Sequence, residues 1–192
     1  MSISTHFKLY KPVGMLSQLR SGEERQVRKK KFLGELYNFP SEIMPIGRLD
    51  EKSEGLLLMT TDGKLSNHIN HSDIEKEYYA QLDGAITKEA IAQISNGVSI
   101  GLFGESYRTK PCAVRVLGTP PMLPKADKKL RIGVHRPTSW ISITLTEGKF
   151  RQVRKMTAAV GFPTIRLVRV RIGSIGIEEM KVGDVLPIVL SF

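Results

Sequence analysis

Short stretches in which apolar and polar residues alternate recur along this 192-residue chain. A period of two is the pattern of a half-buried strand, and it constrains the fold more than any other feature here. Residues 5–10 alternate Phe7 and Leu9 with Lys8 and Tyr10 and end at Lys11-Pro12. Residues 140–146 set Ile141, Ile143 and Leu145 against Ser142, Thr144 and Thr146. Residues 56–61 are apolar almost without a break, as in a buried strand, and Asp62-Gly63 then turns the chain. Residues 75–83, 106–117, 165–172 and 184–190 complete the expected strands.

Helical spacing is confined to short segments. Leu65, His68 and Ile69 share a face. Thr87 suits a helix N-cap, Ala90, Ile91 and Ile94 form a stripe, and Gly97 suits the C-terminal end. Residues 150–160 form a third helix, with Val153, Met156 and Val160 on one face and Arg151, Arg154 and Lys155 on another. Strands dominate and most neighbours are antiparallel on this reading, so the expected class is α+β.

Charge narrows the partners. Twenty-nine Lys and Arg stand against nineteen Asp and Glu, a net charge of +10. Such a surplus points to a polyanion, and nucleic acid is the usual one. The composition, 41% hydrophobic with 17 glycines, is that of a globular chain. No apolar run nears the roughly 20 residues of a membrane span. The first residues, Met1-Ser2-Ile3-Ser4-Thr5-His6, lack the basic and apolar regions of a secretory signal. The single cysteine, Cys112, excludes an internal disulfide and a cysteine-rich zinc site. His68 and His71 lie three apart, but no third ligand is evident beside them. A cytoplasmic protein without metal or cofactor is expected.

Residues 118–139 carry Pro120, Pro121, Pro124 and Pro137, with Lys125, Lys128, Lys129, Arg131 and Arg136 against the single acid Asp127. A flexible basic loop is expected there. The pentapeptide at 25–29, Arg-Gln-Val-Arg-Lys, returns at 151–155. Its first copy sits among charges without an apolar stripe, so the repetition is read as compositional coincidence.

The chemistry concentrates at Pro45-Ile46-Gly47-Arg48-Leu49-Asp50, which leads into Ser53-Glu54-Gly55-Leu56-Leu57-Leu58. This places a carboxylate on the rigid edge of a buried strand with a cation two residues away. By itself it reads more readily as an exposed loop ion pair. The other motifs decide. Lys11-Pro12-Val13-Gly14, Gly47-Arg48-Leu49-Asp50, Lys76-Glu77-Tyr78, residues 147–156 (Glu-Gly-Lys-Phe-Arg-Gln-Val-Arg-Lys-Met) and Arg166-Leu167-Val168-Arg169 follow one another in order. Together they resemble the small-subunit-type pseudouridine synthases. Pro137-Thr138-Ser139-Trp140 and the stretch 156–164 resemble a branch acting on large-subunit ribosomal RNA.

The resemblance implies one catalytic domain over 1–192, a mixed and mostly antiparallel sheet in two halves with a central cleft. It implies no separate N-terminal RNA-binding domain. The implied reaction detaches a flipped-out uracil from its ribose in large-subunit (23S) ribosomal RNA and rejoins it through carbon 5. The implied state is a monomer. Asp50 matches the catalytic carboxylate, acting as a nucleophile on sugar or base or assisting elimination. A nearby guanidinium would favour its ionised form. Arg154 matches the basic partner, and Tyr78 matches the active-site tyrosine, which can stack on the base or assist proton removal. Strand neighbours face opposite sides, so Tyr79 is read as the core residue. Leu167 matches an apolar residue under the base. Arg48 matches the residue that props the space vacated by the flipped nucleotide, an event costing roughly a few kcal/mol. Lys149, Arg151, Lys155, Arg166, Arg169 and Arg171 are candidate phosphate contacts. Phe150 departs from the small or polar residue common in relatives. The rival readings are a non-catalytic RNA-binding or assembly factor, which has no need of Asp50 or Tyr78, and a nuclease or methyltransferase. For the last, neither a glycine-rich fingerprint nor a metal-spaced histidine pair is present.

Overall fold

The computed structural model describes residues 4–127, 130 and 136–190. Its elements in chain order are β1 (His6–Lys11), β2 (Met15–Leu16), α1 (Glu24–Lys29), β3 (Lys31–Phe32), a 3-10 turn (Leu33–Glu35), β4 (Met44–Ile46), β5 (Glu54–Thr60) and α2 (Gly63–His71). Then come β6 (Lys76–Asp83), α3 (Lys88–Ser95), β7 (Ser99–Leu102), β8 (Glu105–Arg108), β9 (Ala113–Leu117), β10 (Thr138–Leu145), α4 (Gln152–Ala159), β11 (Thr164–Ile172), β12 (Ile175–Gly176) and β13 (Val185–Pro187). The class is mixed α and β with mostly antiparallel strands, as expected. The chain divides into two units, Met1–Ile74 with Arg169–Phe192, and Glu75–Val168.

In the first unit the strand order is β13-β1-β5-β11, with β4 also on β5 and β12 on β11. The apolar run of β5 explains this placement. Leu56, Leu57, Leu58 and Met59 are all fully buried, so both faces of the strand need cover. Leu57 and Met59 pack with Phe7, Leu9, Met15, Leu33 and Ile43. Leu56 and Leu58 point the other way, to Ile46, Ile69 and Ile172. Each such burial is worth about 1.5–3 kcal/mol. Helix α2 starts where Asp62 turns the chain, its carboxylate accepting from the N–H groups of Lys64 and Leu65 at 2.9 and 3.0 Å.

In the second unit the order is β11-β6-β10-β9. Ala80, Leu82, Ile141, Ile143, Leu145 and Leu167 share one buried face with Ile94 of α3 and Val153 and Met156 of α4. Thr87 caps α3 as the sequence indicates, its hydroxyl accepting from Ala90 N–H at 3.2 Å. Two expectations are revised. The strand expected over 106–117 is two strands: β8 pairs with β7, and β9 pairs with β10. Pro111 lies between them and offers no N–H to a ladder. Helix α4 starts at Gln152 rather than 150, because Arg151 adopts a left-handed φ of 53°. Of the basic loop, Gly118–Asp127 carries no helix or strand beyond the end of β9, and Lys128, Lys129 and Arg131 lie outside the described residues.

Candidate active site

In the first unit, Asp50 is half-buried on the loop between β4 and β5, and Arg48 is exposed on the same loop. The loop is fixed from several directions. The Ser17 hydroxyl donates to Leu49 O at 2.8 Å and accepts from Leu49 N–H at 2.9 Å, bracketing the residue before Asp50. Gly14 N–H donates to Glu51 O at 2.7 Å, and Ser53 N–H to Asp50 O at 3.0 Å. Lys30 Nζ holds both oxygens of the Glu51 carboxylate at 2.8 Å. Gly47 has φ 69°, and a Cβ there would meet Asn70 Oδ1 at 2.8 Å. Glycine suits the left-handed backbone, and any other side chain there would have to displace the Asn70 amide. The backbone that carries Asp50 is therefore held in place on both sides of the residue.

Lys11 gains a part that its motif alone does not assign. It is fully buried, and its ammonium donates to Pro12 O at 2.8 Å and Met15 O at 2.7 Å. Burial pushes its pKa from 10.5 down to about 7, against the opposing pull of Glu54, Asp50 and Glu51, with Arg169 adding to the fall. Glu54 is buried too, accepting from the Tyr10 hydroxyl at 3.0 Å. The sequence carries a signal for Lys11: it continues the period Phe7, Leu9, Lys11 on the buried face of β1. Ser17 gives no comparable signal, because its partner is a backbone group 32 residues away.

In the second unit, Tyr78 and Leu167 lie with the apolar cluster, Leu167 inside it and Tyr78 packed against it. The expectation for Tyr79 is reversed. Tyr78 pairs in register with buried Ile143, whereas Tyr79 pairs with Ser142 on the face where the Ser142 hydroxyl donates to Glu77. Arg154 is half-buried on α4 and donates to Thr164 O at 3.2 Å. The turn into α4 is tied by Glu147, which sequence reasoning left without a role. Its carboxylate accepts from the Tyr107 hydroxyl at 2.6 Å, Lys110 N–H at 2.9 Å and the Gln152 amide at 2.5 Å. Burial alone would raise its pKa, but these hydrogen bonds and the charge of Lys149 hold it below the ordinary carboxylate value.

The candidate phosphate contacts separate by exposure. Lys149 is exposed, and Arg151 and Lys155 are partly so. Arg166 and Arg169 are only 6% and 4% exposed, donating to Pro124 O and Leu56 O at 2.8 Å. Arg171 donates to Gly173 O at 2.7 Å in its own turn. The proposed catalytic set is thus divided: Asp50 and Arg48 in the first unit, Tyr78, Arg154 and Leu167 in the second. Among the described residues no cluster of three or more His, Cys, Asp or Glu could hold a metal ion, and no helix is long and apolar enough to cross a membrane.

Comparison with known proteins bears on the family. The sequence matches the family described as RNA pseudouridylate synthase over residues 5–159. It is 40% identical over 167 residues to a ribosomal large subunit pseudouridine synthase E of Xanthomonas axonopodis pv. citri, covering 86% of this chain and 84% of that one. It is 34% identical to a ribosomal large subunit pseudouridine synthase B of Bacillus subtilis, over 93% of this chain and 66% of that one. A solved pseudouridylate synthase is 25% identical and superposes over 98% of this chain and 72% of that one with a TM-score of 0.75. Since sequence and fold agree over most of its length, the chain belongs to the RNA pseudouridylate synthase family.

Proposed function

We propose that this protein isomerises a uridine to pseudouridine in large-subunit ribosomal RNA. The observation that carries the reading is the bracketed Gly47–Ser53 loop, which presents a half-buried Asp50 carboxylate beside the buried charge of Lys11 and Glu54. In the isomerisation the bond from C1′ to N1 of uracil breaks and a bond from C1′ to C5 forms. The proton leaves C5, and N1 gains one, so no redox partner is needed. Asp50 acts on sugar or base, or assists elimination. Tyr78 supplies a ring face for the base and a hydroxyl close to its departing proton, with Leu167 as the apolar floor. Arg154 is the basic partner in the reaction, and Arg48 props the space the nucleotide leaves. Exposed Lys149, with Arg151 and Lys155, holds phosphates. Buried Arg166, Arg169 and the turn-bonded Arg171 support backbone rather than reach out.

The protein acts as a monomer in the cytoplasm on this reading. The test is direct, because C5 loses its hydrogen. Purified protein with ribosomal RNA labelled with tritium at uridine C5 should release tritium to water, and pseudouridine mapping should place one product nucleotide in the large-subunit RNA. Absence of tritium release from every ribosomal RNA would remove the reading in favour of a non-catalytic RNA-binding factor.

A further inference from the structure

The second unit carries an exposed aromatic pair that the proposed chemistry does not use. Phe103 is 89% exposed and Phe150 56%. Their rings are stacked, with centroids 6.0 Å apart and planes 26° apart. Phe103 sits at the tip of the β7–β8 hairpin. The register Leu102↔Glu105 leaves a two-residue loop, Phe103-Gly104, in which both φ values are positive, 51° and 91°. That pattern belongs to a type I′ turn, whose first position favours Asn, Asp or Gly. Phe is a poor choice there on two counts: its backbone is strained, and its ring gains almost no burial. Folding explains neither.

The surroundings are cationic. Lys155 Nζ lies 5.1 Å from the Phe150 ring centroid and donates to Gly101 O at 2.6 Å, tying helix α4 to the hairpin. Lys149 Nζ lies 4.9 Å from the centroid of the Tyr107 ring. Arg151 follows Phe150 and, like Phe103, is a non-glycine residue with positive φ, 53°. The acids are Glu105 on the hairpin and Glu147, whose carboxylate is already taken up by Tyr107, Lys110 and Gln152.

We infer that Phe103 and Phe150 form a stacking platform for an unpaired RNA base other than the reacting uridine, with Lys149, Arg151 and Lys155 holding the adjoining phosphates. The base lies on an outer ring face. Insertion between the rings would need about 7 Å, two aromatic contacts of about 3.5 Å each. Exposed aromatics interleaved with cations are what sequence-tolerant single-strand binding requires. A protein partner would match the aromatic area but not the cationic rim on a chain of net charge +10. The inference rests on the reading that this protein acts on RNA.

The turn supplies a clean variant. Phe103→Asn installs a residue the turn favours, so folding should be unharmed and Tm equal or higher. The probes are a single-stranded eight-nucleotide oligoadenylate and an abasic oligomer of the same length. F103N should bind oligoadenylate about tenfold more weakly, 1.4 kcal/mol, and the abasic oligomer equally well. Turnover at saturating ribosomal RNA should be unchanged. Phe103→Trp should keep the affinity, and its emission should be quenched by oligoadenylate and not by the abasic oligomer. Oligoadenylate affinity within twofold of wild type in F103N would overturn the platform. So would equal loss on both oligomers, which marks a charge or folding effect. Tritium release by the wild type is scored separately: its absence removes the isomerase reading and leaves the stacking result standing.

Discussion

Asp50→Asn replaces a carboxylate by an amide of the same shape. The backbone clamp on the loop uses Ser17, Gly14 and Ser53, none of which touches the Asp50 side chain in making these bonds. Fold and RNA affinity should therefore survive while tritium release falls by roughly 10⁴-fold or more; near-normal release would remove Asp50 from the mechanism. Lys11 makes a prediction of another kind. An unfolded lysine keeps its proton to about pH 10.4, whereas buried Lys11 loses it near 7. Between these values the unfolded chain binds more protons, so this group adds stability as pH rises. Lys11→Met removes the titration. Between about pH 6.5 and about pH 9 the wild type should gain stability relative to K11M, by up to about 1.4 kcal/mol per unit above 7, read from urea unfolding at each pH. A constant gap would mean that Lys11 stays charged throughout. The difference between these two residues also marks what sequence can carry. Asp50 is legible because its neighbours in the chain form a motif. Lys11 is half-legible, from its place in a period of two, but its burial depends on β5 and Met15, which meet it only after folding.

Elements are legible in the sequence where one periodicity holds and less so where a tertiary contact sets the limit. Strands β1, β5, β6, β10 and β11 stand within a few residues of their expected places, as do α2 and α3. The two-residue strands β2, β3 and β12 have no pattern of their own and exist through their partners. The repeated pentapeptide shows how context decides. Both copies lie in or at a helix, yet α1 buries none of its residues, while α4 buries Gln152, Val153, Met156 and Thr157. The loop before β5 is the element whose rigidity matters most. Ser17→Ala would leave the buried Leu49 N–H and C=O without their bracket, costing about 1–3 kcal/mol of stability. Because the loop carries Asp50, turnover should fall while RNA affinity changes little. Thermal unfolding with single-turnover and binding assays on S17A checks both; unchanged single-turnover rates would show that the bracket does not position the carboxylate.

Across the whole molecule, the net charge of +10 has to serve both attraction of RNA and chemistry upon it. The separation of exposed from buried cations suggests how the two divide. Lys128, Lys129 and Arg131 belong to the proline-containing basic stretch, far in sequence from every catalytic motif. If they gather phosphates, neutralising all three should weaken binding and flatten its salt dependence by about 0.7 log–log units per lost contact, up to about 2 for the set. Turnover at saturating RNA should persist, since binding lost equally from ground and transition states leaves it unchanged. Arg154 is half-buried on a helix whose entry is tied by Glu147, a placement suited to fixing a single group. Arg154→Ala should lower turnover with a smaller change in affinity and a salt slope close to wild type. Measuring Kd at several salt concentrations and turnover at saturation for both variants separates the roles. A triple variant that loses turnover at saturation, beside an R154A that loses only affinity, would exchange them: the basic stretch would then act in the chemistry and Arg154 in docking.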